Sequence, residues 1–261
     1  MKKRIVYTVL FLILIMIIGY FCKDNAIVTD FYHKNMEPSF AYPFGTDWMG
    51  RNLFFRTLRG LSISLFIGII ASTFSALIAL FFGVLSVFGG KKIDTVITWW
   101  IDLMMGLPHL LLLIVLSMVV GRELKGVIFS IALTHWTSFA RLIRSELLQL
   151  KEKHYIQIAK KLGKGNRYIF QKHMLPHLLP QFIVGWILLF PHAILHESSM
   201  TFLGFGLNSN QPAIGILLSE SMQYLVTGRW WLAVFPGFLL VLIVLLLYCL
   251  GKDLQKYTSQ K

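Results

Sequence analysis

Six long runs that are almost free of charged side chains dominate this chain. They are Ile5–Cys22, Leu61–Phe88, Leu103–Val120, Val127–Ala140, Leu178–Leu195 and Trp231–Leu250. An α-helix needs about 20 apolar residues to cross the hydrocarbon core of a membrane, and in lipid the backbone must satisfy its own hydrogen bonds. The runs therefore predict an all-α integral membrane protein with six transmembrane helices.

The first run has an alternative interpretation. Met1–Arg4 is basic and precedes an apolar stretch, which is also the pattern of a cleaved signal peptide. No small-x-small cleavage site follows Tyr20–Lys23. We therefore expect the first run to remain as a membrane span.

Basic residues predict the orientation of the spans. If the N-terminus is cytoplasmic, eight of the 25 Lys and Arg residues fall outside, and the other seventeen, Lys261 among them, fall inside. The eight are Lys23, Lys34, Arg51, Arg56, Arg59, Arg122, Lys125 and Arg229. Basic residues near span ends favour the cytoplasmic side, so both termini are predicted to be cytoplasmic. A basic patch could instead bind an anionic polymer, but topology accounts for the net charge of +13, and we expect no nucleic-acid partner.

An amphipathic segment lies between the fourth and fifth runs. We call Tyr155–Pro180 the insert. Its residues Tyr155, Ile158, Ala159 and Leu162 follow the i, i+3, i+4, i+7 pattern of a short helix with one apolar face. Gly163 is suited to ending that helix with a positive φ. A helix this short is marginal alone, so either the membrane surface or a groove on a soluble partner must cover its apolar face.

The insert resembles the coupling-helix signature of permease subunits in binding-protein-dependent ABC importers, which has the pattern Glu-Ala-Ala, a later Gly and then Leu-Pro. The matching residues are Gln157-Ile158-Ala159, Gly163 and Leu175-Pro176, with Gln157 in place of the usual glutamate. Five further segments are similar, in order, to the second permease subunit of the peptide and nickel branch. They are Phe44–Gly60, Asp102–Leu113, Ala140–Lys151, Met200–Leu207 and Phe235–Leu254.

This resemblance implies the type I ABC importer permease fold in a bacterial plasma (inner) membrane. Residues 1–60 would form the first transmembrane helix and an external loop, and residues 61–261 a five-helix permease core with a coupling helix at about 155–164. The implied partners are a second homologous permease, two ATPase subunits, membrane lipid and an extracellular or periplasmic substrate-binding protein, which would dock on the loops Lys23–Gly60 and His196–Trp230. The ATPase-coupling residues would be Tyr155, Gln157, Ile158, Ala159, Leu162, Gly163, Leu175 and Pro176.

The chain shows no nucleotide-binding motif of its own. Its Gly-Lys pairs at 90–91, 163–164 and 251–252 lack the leading glycine and the trailing Ser or Thr of a P-loop. We therefore expect a non-catalytic subunit that binds no cofactor, with ATP and Mg²⁺ on the partner subunits.

Polar residues inside the spans are the candidates for a substrate pathway: Asp102, His135, His192 and His196. His192 and His196 are one helical turn apart, a spacing at which two imidazoles can hold a nickel, copper or zinc ion transiently. Each histidine could instead hydrogen-bond a neighbouring helix, and Asp102 could pair with a cation at the cytoplasmic interface.

The histidine pattern bears on the cargo. The segment "LTHW" around His135 and the His192/His196 spacing are similar to the nickel-importing members of the family. The resemblance thus implies half of a translocation pathway for nickel or a metal chelate, with di- or oligopeptides as the alternative cargo. A standalone secondary transporter would also have six spans, but would not need an amphipathic cytoplasmic insert.

Overall fold

The computed structural model describes residues 2–208 and 210–259, so Met1, Ser209, Gln260 and Lys261 lie outside the described residues. The described residues form helices joined by short loops and contain no β-strand. The helices are α1 Lys2–Phe21, α2 Leu53–Phe88, α3 Lys91–Gly106, α4 His109–Val120, α5 Leu124–Lys151, α6 His154–Lys161, α7 Asn166–Ile169, α8 Leu175–Phe202, α9 Ile214–Leu225 and α10 Trp231–Ser259. A 3₁₀ turn spans Phe31–His33, and a π-helical turn, Phe170–Met174, joins α7 to α8.

Within the described residues, five helical segments are long and apolar enough to cross a membrane: α1, α2, α5, α10 and the continuous stretch Asn166–Phe202. The third predicted span is different. It is not one straight helix, because α3 and α4 meet at an angle of 98° across a two-residue break. Leu107 is extended there, the conformation that a following proline, Pro108, favours. Counted together as one broken span, α3 and α4 form the sixth crossing of the membrane.

The π-helical turn has a local cause. Pro176 has no N–H, so the carbonyl of Lys172 cannot accept the usual i+4 hydrogen bond. The turn widens immediately before Leu175, with Met174 fully buried, and the helix then continues in the same direction. Pro176 thus modifies the entry to α8 without interrupting it.

The helices α2 and α5 pack along their lengths and form the centre of the bundle, with α8 against both. Gly83 on α2 permits the close approach, because a methyl group at that position would lie 2.7 Å from Ile143 Cγ2 on α5. Phe139 on α5 stacks on Phe182 of α8 at 5.5 Å between ring centroids. This ring stack and their shared packing on α2 hold α5 and α8 together.

Ion pairs mark the two ends of the bundle. At one end Arg4 Nε lies 2.7 Å from Asp253 Oδ2, joining the start of α1 to the end of α10. Lys151 donates to the Val87 carbonyl, so α2 and α5 also end close together. Both described ends of the chain thus lie on one side, as the distribution of basic residues predicts for a chain with two cytoplasmic termini.

At the opposite end, buried charges join the external loop to the bundle. Arg56 near the start of α2 pairs with Asp47, and its Nη1 lies 2.9 Å from Glu220 Oε2 on α9. Arg51 Nε donates to Asp47 Oδ2 at 2.7 Å. Phe44 of the same loop stacks on Phe235 of α10 at 4.4 Å. The loop that connects α1 to α2 is therefore held against α9 and α10.

Candidate functional sites: the cytoplasmic insert and the histidine pocket

The first turns of the insert form the helix α6, whose apolar residues divide between two faces. Ile156 and Ala159 are buried against the protein. Ile158 and Leu162 point outward and are 52% and 72% exposed, and Tyr155 is also exposed. The predicted stripe therefore splits: Ala159 faces the protein with Ile156, which the pattern did not include, and the other three residues form an exposed apolar face.

Gly163 ends this helix, as predicted, with φ +75°. Its N–H donates to the Lys160 carbonyl at 3.0 Å, and the Lys164 N–H donates to the Ala159 carbonyl at 3.1 Å. These two bonds are those of a Schellman motif, which satisfies the last carbonyls of a helix and requires a left-handed residue. The exposed face of α6 is thus presented on a well-terminated helix.

The remaining predicted coupling residues lie beside α6 or follow it. Gln157 Nε2 donates to the Glu152 carbonyl at 3.2 Å, so its amide is used within the chain. Leu175 and Pro176 begin α8, after the π-helical turn. That turn contacts α6 through His173, whose ring lies 6.1 Å from the ring of Tyr155. The structure therefore places both halves of the signature at the same end of the bundle.

A second site lies inside the bundle, where three helices each contribute one histidine. His109 begins α4, His135 lies in the middle of α5, and His196 lies in the last two turns of α8. One nitrogen from each ring can be chosen so that all three lie within 4.8 Å of one another. The ring centroids are 4.6 to 5.0 Å apart. We call His109, His135 and His196 the histidine triad.

Hydrogen bonding leaves nitrogen atoms available in the triad. His135 Nδ1 lies 3.1 Å from the Ile131 carbonyl of its own helix, so the tautomer protonated at Nδ1 donates there. The Nε2 atoms of His135 and His109 have no hydrogen-bond partner among the described residues. An imidazole whose other nitrogen donates to a backbone carbonyl is in the arrangement that metal-ligating histidines adopt. The triad can therefore offer lone pairs to one ion.

The triad lines a pocket of about 310 Å³ that is partly open at the surface of the bundle. His192 also lines it but is not a member of the triad, because α4 and α5 bring their histidines to the level of His196, one turn further along α8. Asp102 does not line the pocket and pairs with Arg141 instead. The full lining is Met104, Met105, Leu107, His109, Thr134, His135, Thr137, Ser138, Leu189, His192 and His196.

Sequence reasoning missed two features near this pocket. His109 is not among the predicted pathway residues, because nothing local in the sequence relates it to the other histidines. Glu197, next to His196, is completely buried. Ser64 on α2 donates to its Oε2 at 2.6 Å, and Thr201 donates to its Oε1 at 3.0 Å. Glu197 thus links α8 to α2 next to the triad, and an acidic residue two positions after the apolar run Leu178–Leu195 was the available signal.

Residues 68–260 match the family model described as the inner membrane component of binding-protein-dependent transport systems. The chain belongs to this family. A dipeptide transport system permease protein, DppC of Bacillus subtilis, is 33% identical over 98% of this chain and 80% of its own length. An oligopeptide transport system permease protein, OppC of the same organism, is 29% identical over 91% of this chain and 78% of its own.

Solved structures agree on the fold of this permease. The methionine ABC transporter MetNI, in an inward-facing conformation, superposes with a TM-score of 0.66 at 19% identity, over 78% of this chain and 97% of that one. The fold is thus that of the type I importer permeases. The protein is a multi-pass inner membrane subunit of an ABC importer. Such permeases are non-catalytic, and ATP hydrolysis belongs to partner ATPases. The chain is therefore a subunit of an ABC importer and not a standalone secondary transporter.

Proposed function

We propose that this permease forms half of a translocation pathway for nickel or a nickel chelate. The histidine triad carries the proposal, because three imidazoles from three helices converge in one pocket inside the membrane-spanning bundle. Neutral imidazole suits nickel, copper and zinc, whereas peptide recognition has no need for three imidazole nitrogens within 4.8 Å of one another.

The charge of the pocket favours a chelate over the bare ion. Among the described residues that line it, none is acidic. A divalent ion bound only by neutral ligands keeps its full charge, and a charge within the bilayer is costly to desolvate. A small anionic chelator would neutralise that charge and occupy the open part of the pocket. The histidines would then complete the coordination of the metal.

Di- or oligopeptides are the second candidate cargo. The relatives at 33% and 29% identity are named as dipeptide and oligopeptide permeases. Hydroxyl groups of Thr137 and Ser138 line the same pocket and could hydrogen-bond a peptide backbone. Under this alternative the triad would be a polar lining and not a set of metal ligands.

The machinery around the pathway follows from the family and the exposed face of α6. We propose that this permease pairs with a second homologous permease, two ATPase subunits and an external substrate-binding protein. Ile158 and Leu162 would enter a groove on one ATPase, since a short helix with an apolar exposed face requires a partner surface. Closure of the ATPases on ATP would then move α6 and the bundle attached to it.

Uptake measurements test the cargo. His196→Ala removes one member of the triad, and His177→Ala, an exposed residue at the other end of the same helix, is the matched control. Cells should be given nickel chloride, nickel citrate or a labelled dipeptide. We expect His196→Ala to lower nickel uptake at unchanged protein level, with His177→Ala at the wild-type rate. Loss of dipeptide uptake without loss of nickel uptake would overturn the proposal and establish the second candidate.

A further inference from the structure

The histidine triad is carried by elements of unequal rigidity. His135 and His196 lie on α5 and α8, which pack against each other through the stacked rings of Phe139 and Phe182. Phe139 is buried in the same apolar cluster as Ile143 and Leu178. A closely packed interior resists displacement of either helix relative to the other. Two of the three imidazoles are therefore fixed with respect to each other.

The third imidazole lies at a bend. We call Gly106–His109 the elbow, because α3 ends at Gly106, α4 begins at His109, and the two helices meet at 98°. A methyl group added at Gly106 would meet no atom within 4 Å, and Leu107 is 43% exposed. Met105, just before the elbow, is exposed as well. The elbow residues themselves thus make few contacts, whereas Leu113, one turn beyond His109, is buried in one apolar cluster with Val127 and Ile131 of α5.

The two arms of the elbow are held in different ways. The far end of α4 is attached to the loop after α8, since the fully buried Ser117 donates to the Phe205 carbonyl at 3.0 Å. The α3 arm is held by Ile97 and Ile101, which are buried in the same apolar cluster as Phe139, and it is also joined to α5 by two ion pairs. Asp94 accepts two bonds from Arg144, at 2.6 and 2.7 Å, and Asp102 pairs with Arg141 at the surface. Exposed or half-exposed ion pairs are individually weak, so each adds only modestly to this apolar contact.

We propose, on the basis of the proposed metal cargo, that His109 is the third ligand and that the position of the elbow sets the affinity of the site. With the elbow against α5 and α8, one ion is held by three imidazoles. When the elbow moves away, His109 leaves and only His135 and His196 remain. The same pocket then changes from a capturing site to a releasing site without any movement of the rigid pair α5 and α8.

The consequence is a division of roles within the triad. His135 and His196 define where the ion binds, and His109 determines how tightly. Because α3 is linked to α5 close to the end of the bundle where α6 lies, a displacement of the insert has a short route to the elbow. The buried Ile97 and Ile101 and the ion pairs of Asp94 and Asp102 are the connections along that route.

Ligand counting tests the role of His109 directly. The assembled importer should be loaded with Ni²⁺ in lipid nanodiscs, and X-ray absorption at the nickel edge should report the number of bound imidazoles. We expect three in the wild type and two in His109→Ala. Nickel affinity should fall at least about tenfold in that variant, since loss even of an outer-shell partner weakens metal sites by 10- to 100-fold. The control His177→Ala should retain three imidazoles and the wild-type affinity.

Free imidazole separates loss of a ligand from loss of structure. Added imidazole should occupy the space left in His109→Ala and restore a third nitrogen ligand and most of the affinity. A variant weakened only because its pocket has collapsed would not respond. His109→Gln, with a similar volume, should show the same lowered imidazole count and a thermal stability close to that of the wild type.

The elbow itself is tested without changing any histidine. Asp94→Asn with Asp102→Asn removes both ion pairs between α3 and α5, and nickel affinity should fall about three- to tenfold, as the loss of two partly exposed ion pairs implies. Asp253→Asn, which breaks the ion pair with Arg4 at the end of the bundle, should leave affinity unchanged.

The outcomes separate this inference from the proposed function. If the wild-type importer binds no nickel, the metal cargo itself is refuted. If it binds nickel through three imidazoles and His109→Ala still shows three, His109 is not a ligand, and the metal cargo stands without it. If His109→Ala shows two imidazoles but the double Asp variant keeps full affinity, the control of affinity by the elbow is refuted.

Discussion

Replacement of Arg56 by methionine tests how strongly buried charges attach the external loop to the bundle. The Arg56 side chain is 2% exposed, pairs with Asp47, and lies 2.9 Å from Glu220. Methionine has a comparable length but no charge, so Arg56→Met removes the cation and leaves most of the volume filled. Among the described residues, Asp47 and Glu220 then share only Arg51, at 2.7 and 3.4 Å.

The magnitude follows from what remains around those carboxylates. Breaking a buried ion pair by removing one partner costs about 3–5 kcal/mol, because the other charge is left buried and uncompensated. Here Asp47 keeps Arg51 at 2.7 Å, and the Glu220 side chain is 24% exposed and partly hydrated. Both facts reduce the penalty. We therefore expect Arg56→Met to lower the free energy of unfolding by about 3 kcal/mol, the lower end of the usual range.

Arg4→Met is the matched control. Arg4 also makes one close ion pair, with Asp253 at 2.7 Å, but its own side chain is 65% exposed. An exposed pair contributes about 0–1 kcal/mol, so the same substitution should have little effect at this end of the bundle. Unfolding of each variant in mixed dodecylmaltoside and dodecyl sulfate micelles, followed by tryptophan fluorescence, gives the free energies to compare.

The comparison has a clear refutation. If Arg56→Met and Arg4→Met agree within about 0.5 kcal/mol, the buried network contributes no more than a surface ion pair. Glu220→Gln combined with Arg56→Met adds a second check. Glu220 loses its closest cation in Arg56→Met and keeps Arg51 only at 3.4 Å, so neutralising it should recover part of the lost stability, and further destabilisation in place of recovery would contradict the reasoning.

Two further predictions concern coupling and the support of the triad. Leu162→Asp places a charge on the exposed face of α6, so it should abolish co-purification of the ATPase subunits and leave membrane insertion intact. The control Lys161→Asp should still co-purify with the ATPase subunits. Retention of the ATPases by Leu162→Asp would contradict the coupling role. Glu197→Leu leaves the Ser64 and Thr201 hydroxyls without their acceptor, and should lower the free energy of unfolding by about 1–3 kcal/mol in the same micelle assay. Glu197→Gln keeps an acceptor oxygen and should retain most of the wild-type stability. Equal free energies for the two variants would rule out the hydrogen bonds as the cause.

Local signals were sufficient for the elements that depend on the chain alone. A span of apolar residues must form a helix in lipid whatever its neighbours are, so five of the six predicted runs coincide with helices long enough to span a membrane, and the third coincides with the bent pair α3 and α4. The end of α6 at Gly163 is similarly local, because a left-handed residue is required where a helix stops in a Schellman motif. The resemblance of the insert and the flanking segments to one family rests on the same short-range patterns, and the family match confirms it.

Proline shows where local signals fail. Pro180 and Pro191 lie inside α8, and Pro236 lies inside α10, without ending either helix. Pro108 instead lies in a 98° break. The residue type is identical in all four positions, so sequence cannot distinguish a tolerated proline from an elbow. Packing decides the outcome. Neighbouring helices cover the backbone groups freed by Pro180, Pro191 and Pro236, whereas the bend at Pro108 is exposed.

The histidines show the same division. Helical periodicity identified His192 and His196 as neighbours on α8, since a spacing of four residues is a property of one helix. It could not relate either to His109 or His135, which lie far away along the chain. Those rings meet because α4, α5 and α8 converge on one pocket. The sequence by itself thus determined the spans, their orientation and the family, all of which follow from backbone hydrogen bonding and local pattern in lipid. Only the tertiary structure decided which histidines share a site, because that depends on how separate helices pack.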